Sequence, residues 1–131
     1  MNERNRSDYP NGTALLAEDD ELIRDIVTHY LHRLGYDVLE AANGKAAIDI
    51  IDQLENGKLD LIVTDLLMPK VGGEAVIETA KQRGACDRFL VMSGFSELSQ
   101  NPNAAQESSL FIEKPFTFGS FEEKLSALRH R

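Results

Sequence analysis

Short apolar runs alternate with segments of helical periodicity along most of the chain, and this alternation restricts the fold more than any other feature. Five runs are too short for helices and are predicted to be strands, at residues 13–17, 36–41, 59–64, 88–93 and 110–114. Around them, apolar residues recur every three or four positions, as in amphipathic helices. Strands that alternate with helices are typical of a parallel sheet covered on both faces.

The helical segments are predicted at residues 21–34, 43–57, 72–84 and 119–131. Gly35 ends the first of them and Asn56-Gly57 ends the second. Between Ser93 and Leu110 the helical pattern is weak and Pro102 interrupts it, so we expect a short or irregular helix there. In open sheets of this kind, functional residues gather beyond the carboxyl ends of the strands.

Length and composition set broad limits on the protein. The 131 residues suffice for one domain, which we expect over residues 13–131, after a disordered polar N-terminal tail at residues 1–12 that lacks a secretory signal. No apolar run approaches eighteen residues, so we expect no association with a membrane. The net charge of −8 disfavours direct binding to nucleic acid. With a single cysteine, no internal disulfide can form, which favours a cytoplasmic location.

Chemically active side chains follow four of the predicted strands. The first strand runs into Glu18-Asp19-Asp20, the third ends at Asp65, and the fourth and fifth lead to Ser93 and Lys114. If the first and third strands are neighbours, three or four carboxylates converge, and a cation or a shifted pKa must relieve their repulsion. Oxygen ligands suit Mg²⁺, whereas the absence of histidine and cysteine nearby in the sequence argues against zinc.

Each of these residues also has an ordinary structural explanation. The three consecutive acids could cap the first helix, where carboxylates are favourable. Asp65 could cap the loop before the third helix, Ser93 could be a turn residue, and Lys114 could be a solvated lysine. Their occurrence together at four strand ends is better explained by a shared site.

The combination resembles the receiver domain of bacterial two-component response regulators. Four segments carry the resemblance, in the family's order and close to its spacing: LLAEDDELIR, LDLIVTDLLMPKVGG, VMSG and FIEKPF. The resemblance implies a doubly wound α/β fold, in which five parallel strands have the flavodoxin-like order 2-1-3-4-5. It also implies a cis peptide bond between Lys114 and Pro115.

The resemblance assigns roles to the acidic residues. Asp65 would accept a phosphoryl group. Glu18, Asp19 and Asp65 would hold Mg²⁺, with Mn²⁺ as an alternative cation, and the backbone carbonyl of Leu67 would be a further ligand.

The resemblance also assigns roles at the last two strands. Ser93 and Lys114 would contact the phosphoryl group, and Ser93 would form a switch with Phe111, which stands where the family more often has tyrosine. Side chains two positions after the phosphoacceptor and two after the hydroxyl residue flank the approach of water in this family. Here they are Leu67 and Phe95, both apolar, so slow self-dephosphorylation is expected.

The implied function is signalling and not enzymatic turnover, although the domain would assist its own Mg²⁺-dependent phosphorylation and dephosphorylation. The phosphodonor would be a sensor histidine kinase or a phosphotransfer protein. The downstream target is open, and a phosphorylation-dependent dimer is compatible with the family. The chain would be either a stand-alone regulator or the receiver module of a larger regulator or hybrid kinase.

Two other functional classes share parts of the pattern. A haloacid-dehalogenase-like phosphohydrolase also uses an aspartate at a strand end, Mg²⁺ and a lysine, but it carries a second aspartate two positions later, where this chain has Leu67. A flavodoxin-like FMN-binding domain requires a hydroxyl-rich phosphate loop after the first strand. The acids at residues 18–20 would repel a phosphate there, and no G-x-G-x-x-G loop is present.

Overall fold

The computed structural model describes residues 8–54, 58–94 and 109–129. Within these ranges the elements are, in chain order, β1 (Gly12–Ala17), α1 (Glu21–Arg33), β2 (Tyr36–Ala41), α2 (Gly44–Asp52), β3 (Leu61–Asp65), α3 (Gly73–Gln82), β4 (Phe89–Ser93), β5 (Ser109–Glu113) and α4 (Phe118–Arg129). The strands pair in parallel in the order β2-β1-β3-β4-β5, which confirms the predicted sheet.

Two apolar layers, one on each face of the sheet, form the core. On one face, α2 and α3 cover alternate strand residues, and the layer includes Leu15, Ala47, Ile51, Ile62, Val76, Phe89 and Val91. On the other, α1 and α4 cover the intervening residues, and the layer includes Leu16, Val27, Leu31, Val63, Leu90, Phe121 and Leu125. Because both faces are buried, β3 and β4 begin as continuous apolar runs, at residues 61–63 and 89–92, without polar alternation.

The chain before β1 is joined to the end of α1. The backbone N–H of Asn11 donates to the carbonyl of Gly35 at 2.8 Å, and its side-chain amide donates to the carbonyl of Leu34 at 2.5 Å. β1 therefore begins at Gly12, one residue earlier than predicted and inside the expected tail. Residues 1–7 of that tail lie outside the described ranges.

Two further predictions concern the end of the second helix and the irregular helix expected between Ser93 and Leu110. α2 ends at Asp52, before the predicted end at residue 57, because the N–H of Gln53 is shared between carbonyls four and three residues back and that of Leu54 donates to the carbonyl three residues back. That tighter bonding is a common way for a helix to end. The irregular helix predicted between Ser93 and Leu110 falls almost entirely on residues 95–108, which lie outside the described ranges.

No helix in the described part of the chain is both long and apolar enough to cross a membrane.

Candidate functional site

The carboxyl ends of β1, β3 and β5 bring two acids and a lysine together. β1 pairs with β3, so Glu18, directly after β1, lies beside the end of β3, where Asp65 is the last residue. The ammonium nitrogen of Lys114 lies 3.2 Å from Asp65 Oδ2 and 3.4 Å from Glu18 Oε1. The predicted convergence of these three residues is therefore present in the structure.

A third carboxylate completes an acidic cluster. One oxygen each from Glu18, Asp19 and Asp65 lies within 4.8 Å of the others. Glu18 and Asp65 are buried whereas Asp19 is exposed, so the cluster is open to solvent on one side. These ligands are all hard oxygen atoms, and the exposed side leaves room for water, which fits Mg²⁺ better than a cation that prefers sulfur or imidazole.

Burial and hydrogen bonding fix the carboxyl group of Glu18. Its backbone N–H donates to the carbonyl of Ala41 at 3.1 Å, and its Oε2 accepts a hydrogen bond from the backbone N–H of Asp20 at 3.0 Å. Burial raises the pKa of this carboxyl from 4.5 to about 7; the charge of Asp65 adds to the rise, whereas the Asp20 N–H and the Lys114 ammonium oppose it. A bound cation would relieve this cost of holding a buried negative charge.

Lys114 is held in its charged form between the two buried acids. Burial lowers the pKa of its ammonium group, but the charges of Asp65 and Glu18 outweigh burial and hold that pKa above its ordinary value. Its backbone N–H donates to the carbonyl of Ser93 at 2.8 Å, and the following bond to Pro115 is cis, as the resemblance implied. Lys114 is therefore a fixed positive charge at the acidic cluster and not a solvated lysine.

The three consecutive acids divide between two tasks. Asp20 is the N-cap of α1, where its Oδ1 accepts a hydrogen bond from the N–H of Ile23 at 3.1 Å. Glu18 and Asp19 belong to the cluster. The capping explanation therefore holds for Asp20, but not for Asp65, because the N-cap of α3 is Gly72 and no side chain caps that helix.

The loop after β3 folds tightly against the cluster. Gly73, the first residue of α3, donates its N–H to the carbonyl of Leu66 at 2.9 Å, and a Cβ at Gly73 would lie only 2.4 Å from the carbonyl oxygen of Asp65. A side chain at this position would therefore displace the end of β3. Leu67 lies in the same loop with its side chain half exposed, and its role as a carbonyl ligand stays a prediction.

Ser93 and Phe111 lie on adjacent strands and face the same side of the sheet. Ser93 is the buried last residue of β4, and its hydroxyl has no hydrogen-bond partner within the described ranges. Phe111 pairs in register with Val91, two positions before Ser93, and is half-buried against the layer formed with α2 and α3. Their role as a switch stays a prediction, and Phe95 lies outside the described ranges.

Arg24 is a site residue that sequence reasoning missed. Its side chain is 17% exposed; Nη1 donates to the backbone carbonyl of Glu18 at 2.8 Å, and Nε lies 3.5 Å from Glu40 Oε1. The sequence feature that could have identified Arg24 is its position near the start of α1, where the helix dipole favours acidic residues over basic ones. Arg24 therefore links α1 and β2 to the backbone that carries the acidic cluster.

Comparison with known proteins identifies the family. Residues 14–126 match the sequence model described as the response regulator receiver domain. The chain belongs to this family. Receiver domains are phosphoacceptors in two-component signalling, and they interact with histidine kinases or phosphotransfer proteins.

Two curated relatives show the extent of the match. The chain is 31% identical over 108 residues to the sensor kinase CckA of Brucella abortus (strain 2308), covering 82% of this chain and 11% of CckA. It is 34% identical over 105 residues to the DNA-binding transcriptional regulator NtrC of Azospirillum brasilense, covering 79% of this chain and 21% of NtrC. The receiver domain thus spans much less than half the length of either relative.

Solved structures agree with the receiver fold. The crystal structure of the receiver domain from the hybrid histidine kinase CckA superposes with a TM-score of 0.73 at 25% identity, covering 89% of this chain and 98% of that one. A response regulator receiver protein from Sinorhizobium medicae WSM419 superposes with a TM-score of 0.78 at 24% identity, covering 90% and 94% of the two chains. The second likeness supports the fold alone.

Proposed function

We propose that Asp65 is the phosphoacceptor of this receiver domain and that it takes its phosphoryl group from a phosphorylated histidine of a sensor kinase or phosphotransfer protein. The observation that supports this most directly is the position of its carboxylate. Asp65 ends β3, lies 3.2 Å from the Lys114 ammonium, and shares a 4.8 Å cluster with Glu18 and Asp19. Glu18 shares the lysine and the acidic neighbours, but it follows β1 and its Oε1 lies 3.4 Å from Lys114, whereas Asp65 is itself the last residue of its strand and lies closer to the lysine.

The transfer requires that a carboxylate oxygen attack an already negative phosphoryl group. An oxygen of Asp65 forms the new P–O bond while the P–N bond to the donor histidine breaks, and the departing imidazole nitrogen keeps the electron pair. Lys114 lowers the electrostatic barrier by holding a positive charge beside the reacting oxygen. A divalent cation held by Glu18, Asp19, Asp65 and the carbonyl of Leu67 would neutralise further phosphoryl charge.

The proposed switch follows from the charge that the acyl phosphate adds. Phosphorylation brings roughly one more negative charge and new acceptor oxygens to the end of β3. The hydroxyl of Ser93 has no partner in the described ranges and would donate to the phosphoryl group. Movement of Ser93 would give Phe111 room to turn inward, which changes the surface near β5 for an output partner or a second copy of the domain.

The exposed face of α1 is suited to the phosphodonor protein. α1 begins two residues after Asp19, and Leu22 and Ile26 on this helix are 69% and 41% exposed. Leu67, in the loop after Asp65, adds a side chain that is 50% exposed. Large apolar side chains left exposed beside a reactive group are typical of a protein-binding surface, so we assign this patch to the donor.

The decisive experiment is phosphorylation by acetyl phosphate with Mg²⁺, followed by intact mass. The wild-type protein is expected to gain one phosphate that hydroxylamine removes, and Asp65→Asn is expected to gain none. Asp87→Asn is the matched control, because Asp87 is an exposed aspartate just before β4, at the opposite end of the sheet. Equal phosphorylation of Asp65→Asn and the wild type would overturn the assignment.

A further inference from the structure

We propose that Arg24 is a positioning residue for the cation site, because it donates a hydrogen bond to the peptide unit that joins Glu18 to Asp19. This inference rests on the proposed function, because it concerns the same acidic cluster. Arg24 itself is not a ligand; its guanidinium bonds to the main chain beside the ligands.

The contacts of Arg24 define what it holds. Its Nη1 donates to the carbonyl oxygen of Glu18 at 2.8 Å, and that carbonyl belongs to the peptide that leads directly into Asp19. On the other side, the N–H of Glu18 is bonded to the carbonyl of Ala41 at the end of β2. The backbone is thus fixed on both sides at the point where the chain leaves the sheet. A charged donor at this distance makes one of the stronger hydrogen bonds found in proteins.

The location of Arg24 is unfavourable for α1 itself. It is the fourth residue of the helix, where the positive end of the helix dipole disfavours a cation. Its side chain is also largely buried, at 17% exposure, which removes much of the hydration of the guanidinium. Departures from local preference of this kind are expected at functional sites. The partners that compensate Arg24 are the Glu18 carbonyl and the carboxylate of Glu40.

Arg24 could affect the cation site by positioning the backbone or only by its positive charge. These two explanations predict opposite changes in Mg²⁺ affinity when the guanidinium is removed. If Arg24 acted only by its positive charge, its loss would make the acidic cluster more negative, and Mg²⁺ would bind more tightly. If it fixes the peptide between Glu18 and Asp19, its loss lets Asp19 move relative to the two buried acids, and Mg²⁺ binds more weakly. The direction of the change in affinity therefore separates the two.

The variants are Arg24→Met, which keeps an unbranched apolar side chain, and Arg24→Lys, which keeps the charge without the planar fork. Glu40→Gln weakens the second contact of Arg24 and leaves its bond to Glu18. Arg83→Met is the matched control, since Arg83 pairs with Asp52 at 2.8 Å in a contact between the ends of α2 and α3. Mg²⁺ affinity is measured by titration calorimetry, and the melting temperature of each metal-free variant is recorded.

We expect Arg24→Met to weaken Mg²⁺ binding about tenfold, at the low end of the range for residues that support metal ligands. Arg24→Lys is expected to fall between this variant and the wild type. Glu40→Gln and Arg83→Met are expected to stay within about twofold of the wild type, because neither removes the bond to Glu18.

Unchanged or tighter Mg²⁺ binding by Arg24→Met overturns the inference, as does an equal loss in Arg83→Met. If Arg24→Met does not fold, wild-type affinity in Arg24→Lys overturns it instead. If the wild-type protein binds Mg²⁺ but is not phosphorylated at Asp65, the proposed function is contradicted. The Mg²⁺ affinities of the Arg24 variants still decide the role of Arg24.

Discussion

Replacement of Glu18 by glutamine is expected to remove most of the pH dependence of the stability of the metal-free protein. The carboxyl group is fully buried, and burial together with the charge of Asp65 raises its pKa from 4.5 to about 7. In the unfolded chain the same group is hydrated and has its ordinary pKa. Between these two pKa values the folded protein holds a proton that the unfolded chain has released.

The sign and size of the effect follow from that difference. Because the pKa is raised in the folded state, Glu18 stabilises the fold fully below about pH 4.5, and this stabilisation is lost as the pH rises through about 7. At about 1.4 kcal/mol for each unit of pKa shift, the loss between pH 5 and pH 8 is roughly 2–3 kcal/mol. The total stability of a domain this size is about 5–15 kcal/mol, so the change is large enough to measure.

The assay is urea denaturation followed by circular dichroism in a chelating buffer, at four values from pH 5 to pH 8. The wild type is expected to lose roughly 2–3 kcal/mol over this range, and Glu18→Gln less than about 1 kcal/mol. Glu123→Gln is the control, since Glu123 is an exposed glutamate on α4, and it is expected to follow the wild type. Parallel curves for the wild type and Glu18→Gln would refute the reasoning.

Three further predictions concern the same site. Asp19→Asn is expected to abolish most Mg²⁺ binding measured by calorimetry without lowering the melting temperature of the metal-free protein, because it relieves repulsion in the cluster; a clear fall in that temperature would contradict this. Leu67→Asn is expected to shorten the lifetime of the acyl phosphate about tenfold, since a polar side chain that orients the attacking water lowers the barrier to hydrolysis by roughly 1.4 kcal/mol. An unchanged half-life by timed mass spectrometry would contradict it. Leu22→Glu is expected to slow transfer from a phosphorylated donor protein but not from acetyl phosphate, and equal slowing of both would argue against donor binding on α1.

The sheet could be predicted because its signal is local. Both faces are buried, so β3 and β4 are apolar runs that periodicity detects directly, and the strand order followed from the resemblance. Helix ends were predicted less well, because a helix end depends on the hydrogen bonds of one or two residues and not on a repeating pattern. The early end of α2, where Gln53 and Leu54 bond three residues back, has no glycine or proline to announce it.

The site was predictable where its residues follow strands and unpredictable where a side chain reaches across the fold. Glu18, Asp65 and Lys114 each follow or end a strand, so parallel pairing alone brings their positions to one edge. Arg24 reaches from α1 to the backbone at the end of β1, and no local pattern reports such a contact. The division of the acids between capping by Asp20 and the cluster likewise depends on the direction of individual side chains.

The assembly of the acidic cluster from separate strands has a consequence for the fidelity of the signal. Glu18, Asp65 and Lys114 are distant in the chain and meet only when β1, β3 and β5 have taken their places in one sheet. Parallel strands cannot pair through a local hairpin, so a chain in which β5 has not joined the sheet does not bring Lys114 to the acidic cluster. A phosphodonor that requires Lys114 beside the acidic cluster would therefore phosphorylate folded molecules and not incomplete ones.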